Sequence, residues 1–176
     1  MKNRNILISA LSFLRSIACY TLFAFLFVAF FFRPMQISGT SMTPTLHDDD
    51  KVLINVFHNL ISKPQRFDVV VARHDDELWI KRVIGLPGET VEIIEGSVYI
   101  NGEKLKEDYT ATEINDVGIV SEKITLGGDE YFVLGDDRDK SEDSRMADVG
   151  NVKRSYIYGK AWFLLSPFDH MGFIKK

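Results

Sequence analysis

Cysteine is nearly absent from the 176-residue chain. Cys19 is the only one, which excludes an internal disulfide framework and a cysteine-built zinc cluster. Acids are missing from the first 33 positions, where Lys2, Arg4, Arg15 and Arg33 give a local charge of +4. The rest of the chain lacks any basic excess: residues 34–176 hold 17 bases and 25 acids, a net charge of -8. Such an acidic body argues against a nucleic-acid partner, which needs a basic patch to displace phosphate counterions. Repeats of fixed period and low-complexity linkers are missing too. The length suits one compact domain.

Long apolar runs are also scarce, with one exception. Ser16 to Phe32 is 17 residues without a charge, about 25 Å as a helix, and the preceding turn Leu11–Leu14 extends it toward a bilayer core of about 30 Å if Arg15 snorkels. The run ends in Phe30, Phe31, Phe32, Arg33 and Pro34 and offers no small-x-small pair for removal, so a retained anchor is expected rather than a cleaved signal. The positive N-terminal side places that end in the cytoplasm and the body across the membrane. Two domains are therefore expected: a cytoplasmic N-terminus with its transmembrane anchor over residues 1–33, and an extracytoplasmic domain over residues 34–176. Cys19 falls inside the anchor as a packing residue.

Beyond Arg33 the pattern changes to short β-type runs broken by turn residues. Strands are expected at Met35–Thr40, Val52–Phe57, Phe67–Arg73, Leu78–Gly85, Thr90–Glu95, Ser97–Ile100, Ile119–Leu126, Glu130–Leu134 and Tyr156–Leu165. Glu95-Gly96 and Asn101-Gly102 are tight-turn signals, since these residues tolerate positive φ. The expected fold is mainly β: a coiled antiparallel β-sheet or barrel-like domain behind one N-terminal transmembrane helix. The polar stretch Leu105–Gly118 reads as a surface loop.

Three segments carry candidate chemistry. In SGTSMTPTL, residues 38–46, Gly39 permits a close backbone approach, Pro44 stiffens the chain, and Ser41 stands between them as a possible nucleophile or a plain turn serine. In LWIKRVIGLPGE, residues 78–89, Lys81 and Arg82 are adjacent on a strand and point to opposite faces. Arg82 cannot give up its proton, whereas a lysine buried beside Trp79 and Val83 can. An edge-strand lysine that blocks aggregation is the plainer alternative for Lys81. In GDDRDKSEDSR, residues 135–145, an EF-hand is ruled out because Glu142 stands where its glycine must be. Carboxylate–guanidinium pairing of Asp136 with Arg138 and of Asp143 with Arg145 is expected to brace the segment.

These three segments, in this order behind one anchor, resemble bacterial type I signal peptidases in their short, single-anchor Gram-positive form. The resemblance runs from the anchor to at least Arg145. It implies that Ser41 is the acyl-forming nucleophile and Lys81 its general base, with Ser141 hydrogen-bonding the lysine amine. Gly39, Met42, Asp136, Arg138, Asp143 and Arg145 then support the site. Met35, Gln36, Ile37 and Ser38 on one side and Leu78, Trp79 and Ile80 on the other would accept an extended substrate by strand addition. The implied substrates are secretory preproteins with small residues at the first and third positions before the cut, and no metal or other cofactor is implied.

Two departures from the family pattern stand out. Gly39 occupies the place where some relatives carry a serine that donates to the oxyanion. Asp137 replaces a common asparagine, and its charge is expected to raise the lysine pKa. His47, His58, His74 and His170 lie outside the three segments, which disfavours a serine–histidine–acid triad. The competing readings are a catalytically silent, anchored preprotein-binding module on the same fold and, more remotely, a self-cleaving repressor-like protease. A Ser41 Oγ to Lys81 Nζ distance near 3 Å favours the dyad, whereas one above about 6 Å requires rearrangement. Phe57, Leu60 and Ile61, and separately Phe163–Phe168, are candidates for resting on the lipid bilayer.

Overall fold

The computed structural model describes residues 2–75, 77–109 and 111–176, without the side chains of residues 2–7, 60 and 121. The side chains of Lys2, Arg4 and Leu60, and Thr110 of the expected loop, lie outside that description.

The apolar run forms one helix, α1 (Lys2–Phe31). Its Ile8–Phe31 portion is long and apolar enough to cross a membrane, about 36 Å at the helical rise. Hydroxyls along it fold back onto the preceding turn: Thr21 Oγ1 donates to the Ile17 carbonyl and Ser16 Oγ to that of Ser12. In an apolar surrounding this satisfies groups that have no water to turn to.

Strand β1 (Phe32–Gln36) follows the helix without an intervening residue. The other strands are β2 (Lys51–Asn55), β3 (Val69–His74), β4 (Glu77–Gly85), β5 (Thr90–Ile94), β6 (Ser97–Ile100), β7 (Glu103–Lys104), β8 (Ile124–Thr125), β9 (Glu130–Leu134), β10 (Val152–Lys153), β11 (Ile157–Ser166) and β12 (Gly172–Phe173). The larger sheet runs β1-β2-β11-β3-β4-β9-β10, with β12 added to β11, and the smaller one runs β7-β6-β5-β8. Every pairing among the described residues is antiparallel. Among the described residues no closed barrel forms, because β1 and β10 end the larger sheet without pairing to each other.

Both tight turns are found where expected. Glu95 and Gly96 have φ of 47° and 71°, Asn101 and Gly102 of 54° and 85°, the left-handed pair that matches strand twist. Three expected strands change. Met35–Thr40 is strand only as far as Gln36, and β1 starts earlier, at Phe32. The Val52–Phe57 run stops at Asn55, whose side chain accepts from His58 N and starts a short helix, α2 (Val56–Ile61), as an N-cap does. Ile119–Leu126 opens as a 3-10 turn at Gly118–Ser121 and reaches strand geometry only at β8.

One apolar cluster under the larger sheet joins Ile37, Met42, Ile54, Val71 and Ile80. A second fills the space between the small sheet and β9, around Val91, Val98, Phe132 and Leu134. A third, on the other face of β4, holds Val70, Val83 and Val133. Phe57 packs edge-on against Phe27 and Phe31 of α1, so it fastens the helix to the body. Ile61, Phe168 and Phe173 are left exposed.

Candidate active site

The first segment is a loop held from below. Ile37 N donates to the Asp50 carbonyl and Asp49 N to that of Ile37, while the Asp49 and Asp48 carboxylates accept from Gln36 Nε2 and Gly39 N. Gly39 sits at φ +96°, a region closed to most L side chains. Nothing lies within 4 Å of where its Cβ would be. Backbone conformation, rather than the expected close approach, is therefore what requires glycine there. Met42 is buried in the core cluster and pins the far side of the loop, leaving Ser41 half-buried between them.

The second segment is β4, where Lys81 and Arg82 do take opposite faces. Lys81 is opposite Val70 and Arg82 opposite Val69 across β3. Lys81 lies in the part of β4 that pairs with β3 alone, but it is only 6% exposed, so it does not serve as a solvent-facing lysine that guards an edge. Its Nζ lies 2.9 Å from Ser41 Oγ, within hydrogen-bond distance. Burial pushes the amine from the ordinary 10.5 down to about 8, against opposing pulls from Asp143 and Glu142 and with help from Arg145. Asp137, the expected acidic influence, instead faces Lys140 at 3.6 Å and gives its backbone N–H to the Ser41 carbonyl. Trp79 stands over Lys81, 5.6 Å from ring centre to Nζ, and stacks against His74.

The third segment wraps the other two. Asp143 and Arg145 pair as expected, through Nε–Oδ1 at 2.8 Å and Nη2–Oδ2 at 3.0 Å. Asp136 and Arg138 do not pair. Asp136 accepts two bonds from Arg82, at 2.8 and 2.7 Å. Arg138 turns to the Gly135 carbonyl, Glu107 and the Tyr109 hydroxyl. The physical reason is reach: β4 brings a fully buried guanidinium against Asp136, and a second cation there would be left without a partner. The expected Ser141–Lys81 bond is also not formed. The Ser141 hydroxyl is buried without a hydrogen bond among the described residues, pressed against Gly135, where an added Cβ would come within 2.2 Å of Ser141 Oγ and 2.5 Å of the Ser41 carbonyl oxygen.

Four residues outside the expected set help assemble the site. Gly135 admits no side chain at the junction of the first and third segments. Thr45 donates to Asp136 and accepts from Arg82. Tyr109 covers the Arg82 guanidinium at 4.0 Å and accepts from Arg138, and its hydroxyl also bonds Glu107. Part of the expected surface loop is thus folded inward. The signal in the sequence was an aromatic residue inside an otherwise polar stretch.

Two stretches of strand remain open. β1 ends the larger sheet, and β9 pairs with β4 only from Arg82 to Gly85, so Glu77–Lys81 has a partner on the β3 side alone. Met35 and Gln36 on β1 and Leu78–Ile80 on β4 lie at such edges, with Ile37 and Ser38 just past the end of β1.

Antiparallel sheets behind an apolar helix, with a buried lysine against a loop serine, describe a hydrolase, and the comparisons with known proteins agree. The family model described as signal peptidase, peptidase S26, matches residues 10–166. Signal peptidase I S of Bacillus subtilis (strain 168) is 35% identical over 175 residues, 93% of this chain and 92% of its own. A signal peptidase I of Bacillus amyloliquefaciens is 37% identical over 153 residues, 81% of this chain and 78% of its own. A crystal structure of a signal peptidase I from Enterococcus faecalis V583 shares 36% identity and covers 57% of this chain and 97% of its own, with a TM-score of 0.47. The chain belongs to the signal peptidase family, peptidase S26.

Proposed function

We propose that this chain is a membrane-anchored serine endopeptidase that removes N-terminal signal peptides from exported preproteins with a Ser41/Lys81 dyad. The observation that carries this reading is the 2.9 Å contact between the Ser41 hydroxyl and a lysine amine held near 8 by burial. A silent binding module has no need of either the contact or the depressed amine.

In the reaction, neutral Lys81 takes the proton from Ser41 Oγ, which attacks the scissile carbonyl carbon. The Ser41 N–H, which donates to no group among the described residues, faces the oxyanion. The Gly39 N–H is already engaged by Asp48 and adds nothing there. The Lys81 ammonium returns its proton to the leaving amine as the C–N bond breaks. Lys81 then takes a proton from water, whose oxygen attacks the ester carbonyl, and returns that proton to Ser41 Oγ as the acyl–serine C–O bond breaks. Asp136, Arg138, Asp143, Arg145 and Ser141 hold the third segment against the dyad, and the β1 and β4 edges take the substrate as an added strand.

Residues 1–33 form the cytoplasmic N-terminus and anchor, and residues 34–176 the extracytoplasmic catalytic domain, with the anchor in the cell membrane. The aromatic group Phe32, Trp162, Phe163 and Phe173 begins where α1 ends and rests on the lipid.

Purified enzyme with Ser41→Ala or Lys81→Ala is expected to leave preprotein uncut, at least about a thousandfold slower. Wild-type kcat is expected to rise with pH through about 8 and level off above it, because the amine works in its neutral form. Full processing by Lys81→Ala removes the dyad assignment.

A further inference from the structure

Beside Lys81 lies a hollow that neither the dyad contact nor the core uses. It measures about 290 Å³ and is walled by Ala72, Trp79 and Lys81 from β3 and β4 and by Val149, Val152 and Tyr156 from the segment that returns after the third block. It opens on the face of β4 opposite to Ile80.

A peptide laid along the open edge of β4 alternates its side chains between the two faces of the sheet. The two faces differ in room. Ile80 looks onto a packed cluster with Ile37 and Met42, all buried, where only a small side chain finds space. Trp79 and Lys81 look onto the hollow. We propose that this hollow is the subsite for the second residue before the cut, and that it takes a large neutral side chain, aliphatic or aromatic. The proposal rests on Ser41 and Lys81 being the cleaving dyad, with the first and third residues on the Ile80 side.

The wall that contains Lys81 adds a charge rule. A carboxylate on the second residue stands beside the amine and favours its protonated form. Lys81 is already faced by Ser41 from the first segment, by Glu142, Asp143 and Arg145 from the third, and by Trp79 from its own strand. Arg73, His74, Asp75 and Tyr156 line the same hollow. Asp143 is spoken for by Arg145, so a substrate carboxylate acts on the amine without that guanidinium to neutralise it. A large neutral residue has no such effect.

The test is cleavage of a preprotein series carrying Ala, Leu, Phe or Asp at the second position, by the full-length enzyme in detergent. Leu and Phe are expected to give kcat/KM about tenfold above Ala. The Asp substrate is expected to move the rising limb of kcat upward by roughly one pH unit. Val149→Phe and, independently, Ala72→Leu fill the hollow and are expected to bring the Leu-to-Ala ratio within about twofold of unity. Should Ala72→Leu fail to fold, the half-buried loop position Val149 still supplies the comparison. An unchanged ratio in a folded, active Val149→Phe enzyme overturns the subsite, and an unmoved limb with Asp overturns the charge rule. Undiminished cleavage by Lys81→Ala overturns the dyad instead.

Discussion

Lys81 and Arg82 are neighbours on one strand, both cationic by type and both buried, yet the protein treats them in opposite ways. Arg82 is enclosed on every side: two bonds to Asp136, two to the Phe67 and Lys175 carbonyls, one to Thr45, and a tyrosine ring over its plane. Lys81 has a serine hydroxyl and an indole face but, among the described residues, no carboxylate in contact. Full pairing keeps a buried charge in place; withheld pairing lets a buried base shed its proton. The same strand thus carries a fully paired cation and an amine whose pKa burial lowers to about 8, and only the partners that other segments deliver tell them apart.

Removing one member of the paired side is the harshest way to probe this contrast. Arg82→Met leaves the Asp136 carboxylate buried without its guanidinium, and a loss of about 3–5 kcal/mol is expected in denaturant unfolding. Arg82→Lys keeps the charge without the two-pronged geometry and is expected to retain measurable cleavage. On the unpaired side the sign reverses. Lys81 has a folded pKa below its unfolded one, so it costs stability wherever the unfolded chain holds its proton. That cost is full below about pH 8, shrinks toward 10.5 and is gone above it. Lys81→Met is therefore expected to stabilise the protein by about 2–3 kcal/mol at pH 7 while abolishing cleavage. A variant equally stabilised at pH 7 and pH 10.5 would contradict that origin. The smallest effect is expected at Tyr109. Tyr109→Phe keeps the ring over Arg82 but drops the hydroxyl bonds to Arg138 and Glu107, about 1 kcal/mol of stability. Its kcat should fall severalfold with KM unchanged if the third segment shifts against the dyad.

This contrast was half legible in the sequence. Period-two geometry separates Lys81 from Arg82 without any coordinates, and the two Gly-containing turns announce their own φ angles. Asp143 and Arg145 are two residues apart, and their pairing is local. The partner of Asp136 is not: Arg82 stands 54 positions away, and choosing it over Arg138 depends on where β4 and β9 meet. The inward turn of Tyr109 has the same cause, since a polar stretch carries no periodicity to announce that Tyr109 and Ile114 pack against the core. Hydrophobic pattern also misled at Ile119–Leu126, where a short apolar run serves the core from a 3-10 turn. The Ser141 hydroxyl was assigned by resemblance, and its position depends on a side-chain rotation that no sequence pattern encodes.

The passage from Phe31 to Phe32 without a connecting residue has a consequence of its own. A tethered enzyme on a slack linker would sweep a range of heights above its anchor. Here helix runs straight into sheet, and Phe57 clamps the joint. From Phe32 to Ser41 the chain can span at most some 30 Å. On the proposed reading, with α1 as the anchor and Ser41 as the nucleophile, the protein would be a depth gauge: cleavage at one fixed elevation would select a bond by its distance from the bilayer as well as by its side chains.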